Sequence, residues 1–250
     1  MKLVVVGGHC RNIGKTSVMA GLIRELEPLP WTAVKITQHK HDIHSGNGGR
    51  PDGAPIEQAF VLTEETTPHG RGDTCRYLAA GARRSLWLRV RGGRLRAALS
   101  SLADALRGDE YAIIESNSIL GYWKPTAYIV VLDNTRRDFK ASARRFLARA
   151  DALVPVAFHL DSALACGCVP PTTAWRDAKR RYRWTASWPE ALCRILKERP
   201  VFPVGPPDYQ NSGLSRFVRQ KLRDPARAQT PIPFANVSPT AETKEQPWQR

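Results

Sequence analysis

"VVVGGHCRNIGKTSVMAGL", residues 4–22, decides how the rest of the chain is read. An apolar, β-branched run leads into a glycine-containing loop. Gly14-Lys15-Thr16-Ser17 then opens an apolar helical pattern. A strand, a loop and a helix in that order can hold phosphate, because backbone N–H groups curl around an oxyanion at the positive end of the helix. The lysine of such a loop neutralises the β and γ phosphates, and the hydroxyl after it coordinates magnesium. Lys15 and Thr16 stand in the right places for both tasks. The usual spacing, Gly-x4-Gly-Lys-[Ser/Thr], asks for glycine at residue 9, which is a histidine here. Gly8 lies one position earlier, so five residues separate it from Gly14. The rival reading is a plain strand-to-helix turn carrying a surface lysine.

A chain of 250 residues is long enough for one large domain or two small ones. Apolar residues make up 42% and charged residues 24%, an ordinary globular balance. No apolar run reaches the roughly 18–20 residues that a membrane helix needs. The first six residues run straight into the loop with no cleavage site, so a cytoplasmic protein is expected. The cysteines, Cys10, Cys75, Cys166, Cys168 and Cys193, are five, an odd number that argues against a disulfide framework. Cys166-Gly-Cys168 has no second pair at ligand spacing and reads as free thiols before a metal site. Lys and Arg number 38 against 23 Asp and Glu, a net charge of +15 that favours anionic partners. Much of the excess lies in "RRDFKASARRFLAR" (136–149) and "WRDAKRRYRW" (175–184). The first places Ala143, Phe146, Leu147 and Ala150 at helical spacing, so its arginines read as a solvated helix face and nucleic acid is not the expected partner.

Strand-like runs at 3–6, 31–36, 85–90, 111–115, 128–133, 152–158 and 201–204 alternate with helical patterns at 15–26, 73–82, 94–108, 136–150, 189–196 and 212–222. That alternation predicts a doubly wound, mostly parallel α/β sheet in one domain over 1–223. Ligands of such sheets bind beyond the carboxyl ends of the strands. Residues 38–72, rich in Gly, His and Pro with little periodicity, read as a long irregular, flexible insertion. Residues 224–250, with repeated prolines and no apolar period, read as a disordered tail.

Several side chains can carry chemistry. Glu115 ends a strand where an acid can hold magnesium or its water shell, or can cap a loop or helix. Asp73 with Thr74 is a good helix N-cap. Lys35 ends a strand and reads either as a phosphate or substrate ligand or as a surface lysine. His39, His41 and His44 with Asp42 allow zinc, but with no cysteine nearby a polar or anion-binding loop is the preferred reading. No Asn-Lys-x-Asp base-recognition motif is present; Asn134, Asp138 or the loop "VGPPDYQNSG" (204–213) are candidates for contacting a base.

The loop "GHCRNIGKT" (8–16) is similar to the Gly-x5-Gly-Lys-[Thr/Ser] loop of the P-loop branch that includes dethiobiotin synthetase and the cobyrinate amidases. A broader resemblance spans about residues 1–125. "AVKITQHKHDIH" (33–44), "GDTCRYLAAGARRSLWL" (72–88) and "YAIIESNS" (111–118) follow the loop in the order seen in the molybdopterin-guanine dinucleotide biosynthesis protein B (MobB) family. The sequence departs from that family in its five-residue loop spacing and in Gly72-Asp73-Thr74, where Lys-Asp-Ser is usual. It also has Ser116-Asn117 in place of a glycine after Glu115, and a long insertion between His44 and Asp73.

The resemblance implies a P-loop NTPase fold. It also implies Mg2+ with GTP or ATP (GTP favoured), slow GTPase-like hydrolysis, and a part in molybdenum cofactor (molybdopterin guanine dinucleotide) biosynthesis. Gly8, Asn12, Ile13, Gly14, Lys15, Thr16, Ser17 and Lys35 are then the nucleotide-binding residues. Thr16, Glu115 and, by resemblance, Asp73 are the metal ligands, and Lys15 and Glu115 the catalytic pair. Lys35 matches the lysine that meets phosphate or an anionic substrate in dethiobiotin synthetase. The expected partners are a purine nucleotide, a molybdenum cofactor biosynthesis protein or an anionic pterin, and a second copy of the chain in a homodimer; no membrane is expected. Two alternatives stand beside this reading: an ATP-dependent ligase or kinase similar to dethiobiotin synthetase, and a nucleotide-binding adaptor without turnover.

Overall fold

A run such as Val4-Val5-Val6 suits a strand covered on both faces, and it falls on an interior strand of the sheet. The computed structural model describes residues 1–39, 59–133, 136, 138–156 and 198–227. Seven strands form one sheet in the order β3-β4-β2-β5-β1-β6-β7. They are β1 (Lys2–Gly8), β2 (Trp31–His39), β3 (Phe60–Glu65), β4 (Arg84–Arg91), β5 (Tyr111–Glu115), β6 (Ala127–Leu132) and β7 (Ala152–Pro155). All neighbouring pairs are parallel except β3 with β4. The helices are α1 (Lys15–Glu25), α2 (Asp73–Ala79), α3 (Leu99–Ala105), α4 (Ala141–Phe146) and α5 (Ser212–Arg223). The sheet is thus a mostly parallel α/β sheet, with the 9–14 loop joining its interior strand β1 to α1.

Successive strand side chains point to opposite faces. Val5 therefore joins the apolar cluster formed with Leu102 of α3 and Phe146 of α4. Val4 and Val6 join the opposite cluster, with Val18 of α1, Tyr77 of α2 and Val218 of α5. These two layers make the core, and both cover β1.

The structure corrects several expected boundaries. Residues 60–65, read as part of a flexible insertion, form the antiparallel edge strand β3, with Leu62 opposite Leu88 and Glu65 opposite Ser85. An edge strand keeps one side in solvent, so "FVLTEE" carries Thr63, Glu64 and Glu65 and lacks the apolar signature of the central strands. Glu64 is held by a bidentate contact to Arg84 across the pair. The helix read over 94–108 is a 3-10 turn (Leu95–Ala98) followed by α3. The one read over 136–150 shrinks to α4 and a 3-10 turn (Leu147–Arg149). Residues 201–204 pair only through isolated bridges, Leu153 with Val201 and Val156 with Val204. The expected helix at 189–196, the basic stretch 175–184, Cys166, Cys168, Cys193, residues 40–58 and the tail from 228 lie outside the described residues.

The last helix is fastened to the first. Asn211 caps α5, its Oδ1 accepting from the Gly213 and Leu214 N–H groups at 3.0 and 3.1 Å. Its Nδ2 donates to the Pro203 carbonyl, and its own N–H to Glu25 of α1. Asn211→Ala removes the cap and is expected to lower the unfolding free energy by about 1–2 kcal/mol, measured as a fall in the urea midpoint at unchanged slope.

Candidate functional site

Parallel pairing sets Glu115 level with Val6 on one side and with Lys35 on the other. The acid, the lysine and the start of the loop therefore emerge together at the carboxyl edge of the sheet. Glu115 is buried. Its Oε2 accepts the Thr16 hydroxyl from α1 at 2.8 Å and also the Tyr77 hydroxyl from α2. Lys15 and Lys35 each lie 3.8 Å from the carboxylate, and Lys35 is also paired with Asp73. Burial, then the Glu115 charge, push the Tyr77 phenol well above its usual range, so it stays protonated and donates. Burial pushes the Lys35 ammonium down; Glu115 opposes that, while Lys15 and Arg76 add to it.

The loop is shaped by two left-handed residues, Asn12 at φ 55° and Gly14 at φ 87°. Such a conformation costs glycine nothing and asparagine little. Lys15 Nζ arches back to donate to the Cys10 carbonyl at 3.3 Å. Among the described residues, the N–H groups of Cys10 through Gly14 donate to no acceptor. A curl of donors at a helix N-terminus under a lysine is the cradle an oxyanion needs.

His9 explains the longer spacing. Its N–H donates to the Val131 carbonyl at 3.4 Å, and its own carbonyl accepts from the Lys140 N–H at 2.9 Å. The extra residue thus prolongs the pairing of β1 with β6, and the loop leaves the sheet one residue later. The imidazole is fully buried, accepts from the Asp133 N–H at 3.4 Å and packs against Phe139 with the rings tilted by 39° and their centroids 4.7 Å apart.

Of the expected site residues, Gly8, Asn12, Lys15, Lys35 and Glu115 line a cavity of about 600 Å3, with Arg11, Thr37, His39, Asn117 and Lys140. Ile13 is buried beneath the loop. Thr16 reaches the site through Glu115. Ser17 points elsewhere: its hydroxyl accepts from Arg76 at 2.9 Å and lines a separate cavity of about 430 Å3 with Tyr209. Asp73 is no N-cap; Gly72 is, and Asp73 sits in the first turn of α2, paired with Lys35 and 3.8 Å from Arg76. Glu115 caps no helix. His39 lies at the end of β2, its Nε2 3.1 Å from Thr37 Oγ1. His41, His44 and Asn134 lie outside the described residues, and Asp138 is exposed. No group of three or more His, Cys, Asp or Glu among the described residues can hold a metal. The Thr16 and Glu115 oxygens are nevertheless a fitting donor set for Mg2+, which takes one or two protein oxygens and completes its shell with water and phosphate.

Asn117 was missed by the motif reading. Its Oδ1 accepts from the Gly8 N–H at 3.0 Å and its Nδ2 donates to the Gly8 carbonyl at 2.8 Å, so a side chain stands in for the next rung of β5. A Cβ on Gly7 would lie 2.0 Å from that Oδ1, which is why glycine precedes the loop. The signal was present in Ser116-Asn117, found where a glycine was expected. Tyr209, at φ 54°, packs on the other side: a Cβ on Gly14 would stand 3.4 Å from its ring.

No protein-family model matches the sequence. No curated protein matches it. Among solved structures the chain is similar to HypB from Helicobacter pylori in complex with nickel, at 14% identity over 92% of this chain and 91% of that one, with a TM-score of 0.45.

Asn117→Ala leaves both backbone groups of the buried Gly8 without partners. It is expected to cost about 1–3 kcal/mol in urea unfolding, with Asn117→Asp, which keeps the acceptor, falling between the two.

Proposed function

We propose that this chain binds a purine nucleotide with magnesium at the 8–17 loop and hydrolyses it slowly. The loop carries the reading: five backbone donors with no acceptor among the described residues, closed over by Lys15, lie beside a buried acid. GTP is favoured, and a role in molybdenum cofactor maturation proposed, on the resemblance to the MobB family; a cytoplasmic site of action belongs to the same reading. No helix among the described residues is long and apolar enough to cross a membrane.

Within this reading each residue has a stated task. The loop N–H groups and Lys15 hold the phosphates and offset charge that develops on the transferred phosphoryl. Thr16 and Glu115 would hold magnesium, which when bound neutralises β and γ oxygens. Tyr77 orients Glu115 by donating to it, and Lys35, balanced by Asp73, adds positive charge on the γ side. A second reading, an ATP-dependent ligase or kinase, draws support from the cavity itself. It continues past the loop to Ser118, Lys140 and Ser142, beyond what the phosphates of a nucleotide fill.

Lys15→Ala is expected to weaken magnesium-dependent binding of labelled GTP by about 100-fold or more while the circular dichroism spectrum stays unchanged. That loss is about 2.7 kcal/mol or more. Equal binding by the variant would sink the proposal. Glu115→Gln should slow hydrolysis at saturating GTP by about 100-fold, a loss that a non-hydrolysing adaptor would not show.

A further inference from the structure

The cavity over the loop does not end at Lys140. A second cavity of about 330 Å3 shares Gln38, Ser118, Ala141 and Ser142 with it, so the two are chambers of one groove. Their walls differ. The first is cationic, with Arg11, Lys15, Lys35 and Lys140 around a single acid, Glu115. The second is walled by Leu95, Tyr122 and Phe146, with Arg145 at its rim 5.3 Å above the Phe146 ring.

The cations are not equally engaged. Lys15 and Lys35 face Glu115, and Lys35 also faces Asp73. Neither Lys140 nor Arg11 forms an ion pair among the described residues. Lys140 is half-buried, and its backbone N–H is tied to His9, which holds the residue over the loop. Burial above all, then Lys15 and Arg11, push its ammonium down, while Cys10 and Glu115 oppose the shift. Such a group is stabilised by an anion arriving in the groove. The neighbouring chamber can take an apolar body, since the half-buried Tyr122 lines it beside the edge of Phe146, whose ring is otherwise buried and has Arg145 and Arg149 over it.

We infer that this groove binds a small organic anion beside the nucleotide, its acidic head on Lys140 and its apolar ring or chain against Tyr122 and Phe146. The inference rests on the nucleotide reading for what fills the loop, and it adds a second ligand bound at the same time.

The test uses 1-naphthyl phosphate as probe, titrated calorimetrically into the full chain saturated with magnesium and a non-hydrolysable GTP analogue. The probe is expected to bind without displacing the analogue, and roughly ten-fold more tightly than inorganic phosphate or 1-naphthol. Lys140→Gln should weaken it by roughly ten-fold, as for a lost charge-assisted hydrogen bond, and Tyr122→Ala by roughly five-fold. Both variants should leave the analogue's affinity unchanged. Displacement of the analogue by the probe, equal binding of inorganic phosphate, or unchanged affinity in both variants overturns the inference. Failure of the analogue to bind, with probe binding and its Lys140 and Tyr122 dependence intact, would sink the nucleotide reading alone.

Discussion

The structure turns on one buried carboxylate. A lone ionised acid in a protein interior carries a desolvation penalty of several kcal/mol, and Glu115 avoids it by drawing in partners from three elements. Lys15 and Thr16 come from the first turn of α1, Tyr77 from α2 and Lys35 from β2. Each partner is itself polar and largely withdrawn from water; Lys15 and Lys35 each have one further contact, to the Cys10 carbonyl and to Asp73. Removing any one leaves the others facing an unbalanced charge. Glu115 thus holds α1 and α2 on the same edge of the sheet and keeps the first turn of α1 in register with β5.

Around that acid the loop is held by contacts that involve no phosphate at all. Asn117 grips Gly8 from the β5 side, and His9 is paired with β6 through Val131 and with the chain ahead of α4 through Lys140. The donors are consequently presented in a frame fixed by three neighbouring strands. Preorganisation of this kind is what gives backbone dipoles their value, because nothing must be reordered when an anion arrives.

The parts of this site that are periodic or local in sequence were legible; the parts made by long-range pairing were not. Lys15 and Thr16 follow from the strand, loop and helix that contain them, and Glu115 from its place at the end of an apolar run. Tyr77 looks like an ordinary helix residue until α2 packs on β2 and β4 and its hydroxyl reaches Glu115 at the end of β5, an acid 38 residues away. Asn117 is separated from Gly8 by 109 residues. Strand β3 escaped notice because its outward edge selects Thr and Glu over apolar residues. The boundaries of α3 and α4 were overdrawn because each apolar stripe continues into a 3-10 turn, which helical spacing alone does not distinguish. His9 reads as a misplaced loop residue in the sequence, since only its hydrogen bond to Val131 shows that it continues the pairing one residue past Gly8.

The hydrogen bond from the Lys140 N–H to the His9 carbonyl makes two distant stretches mechanically one. A force that lifts the segment before α4 pulls on the base of the phosphate loop, and a loop that tightens pulls that segment in. Whatever factor occupancy on one side applies to affinity on the other, thermodynamic reciprocity requires the same factor in return. A single peptide group, placed by one inserted residue, can serve as the link between the two halves of the groove.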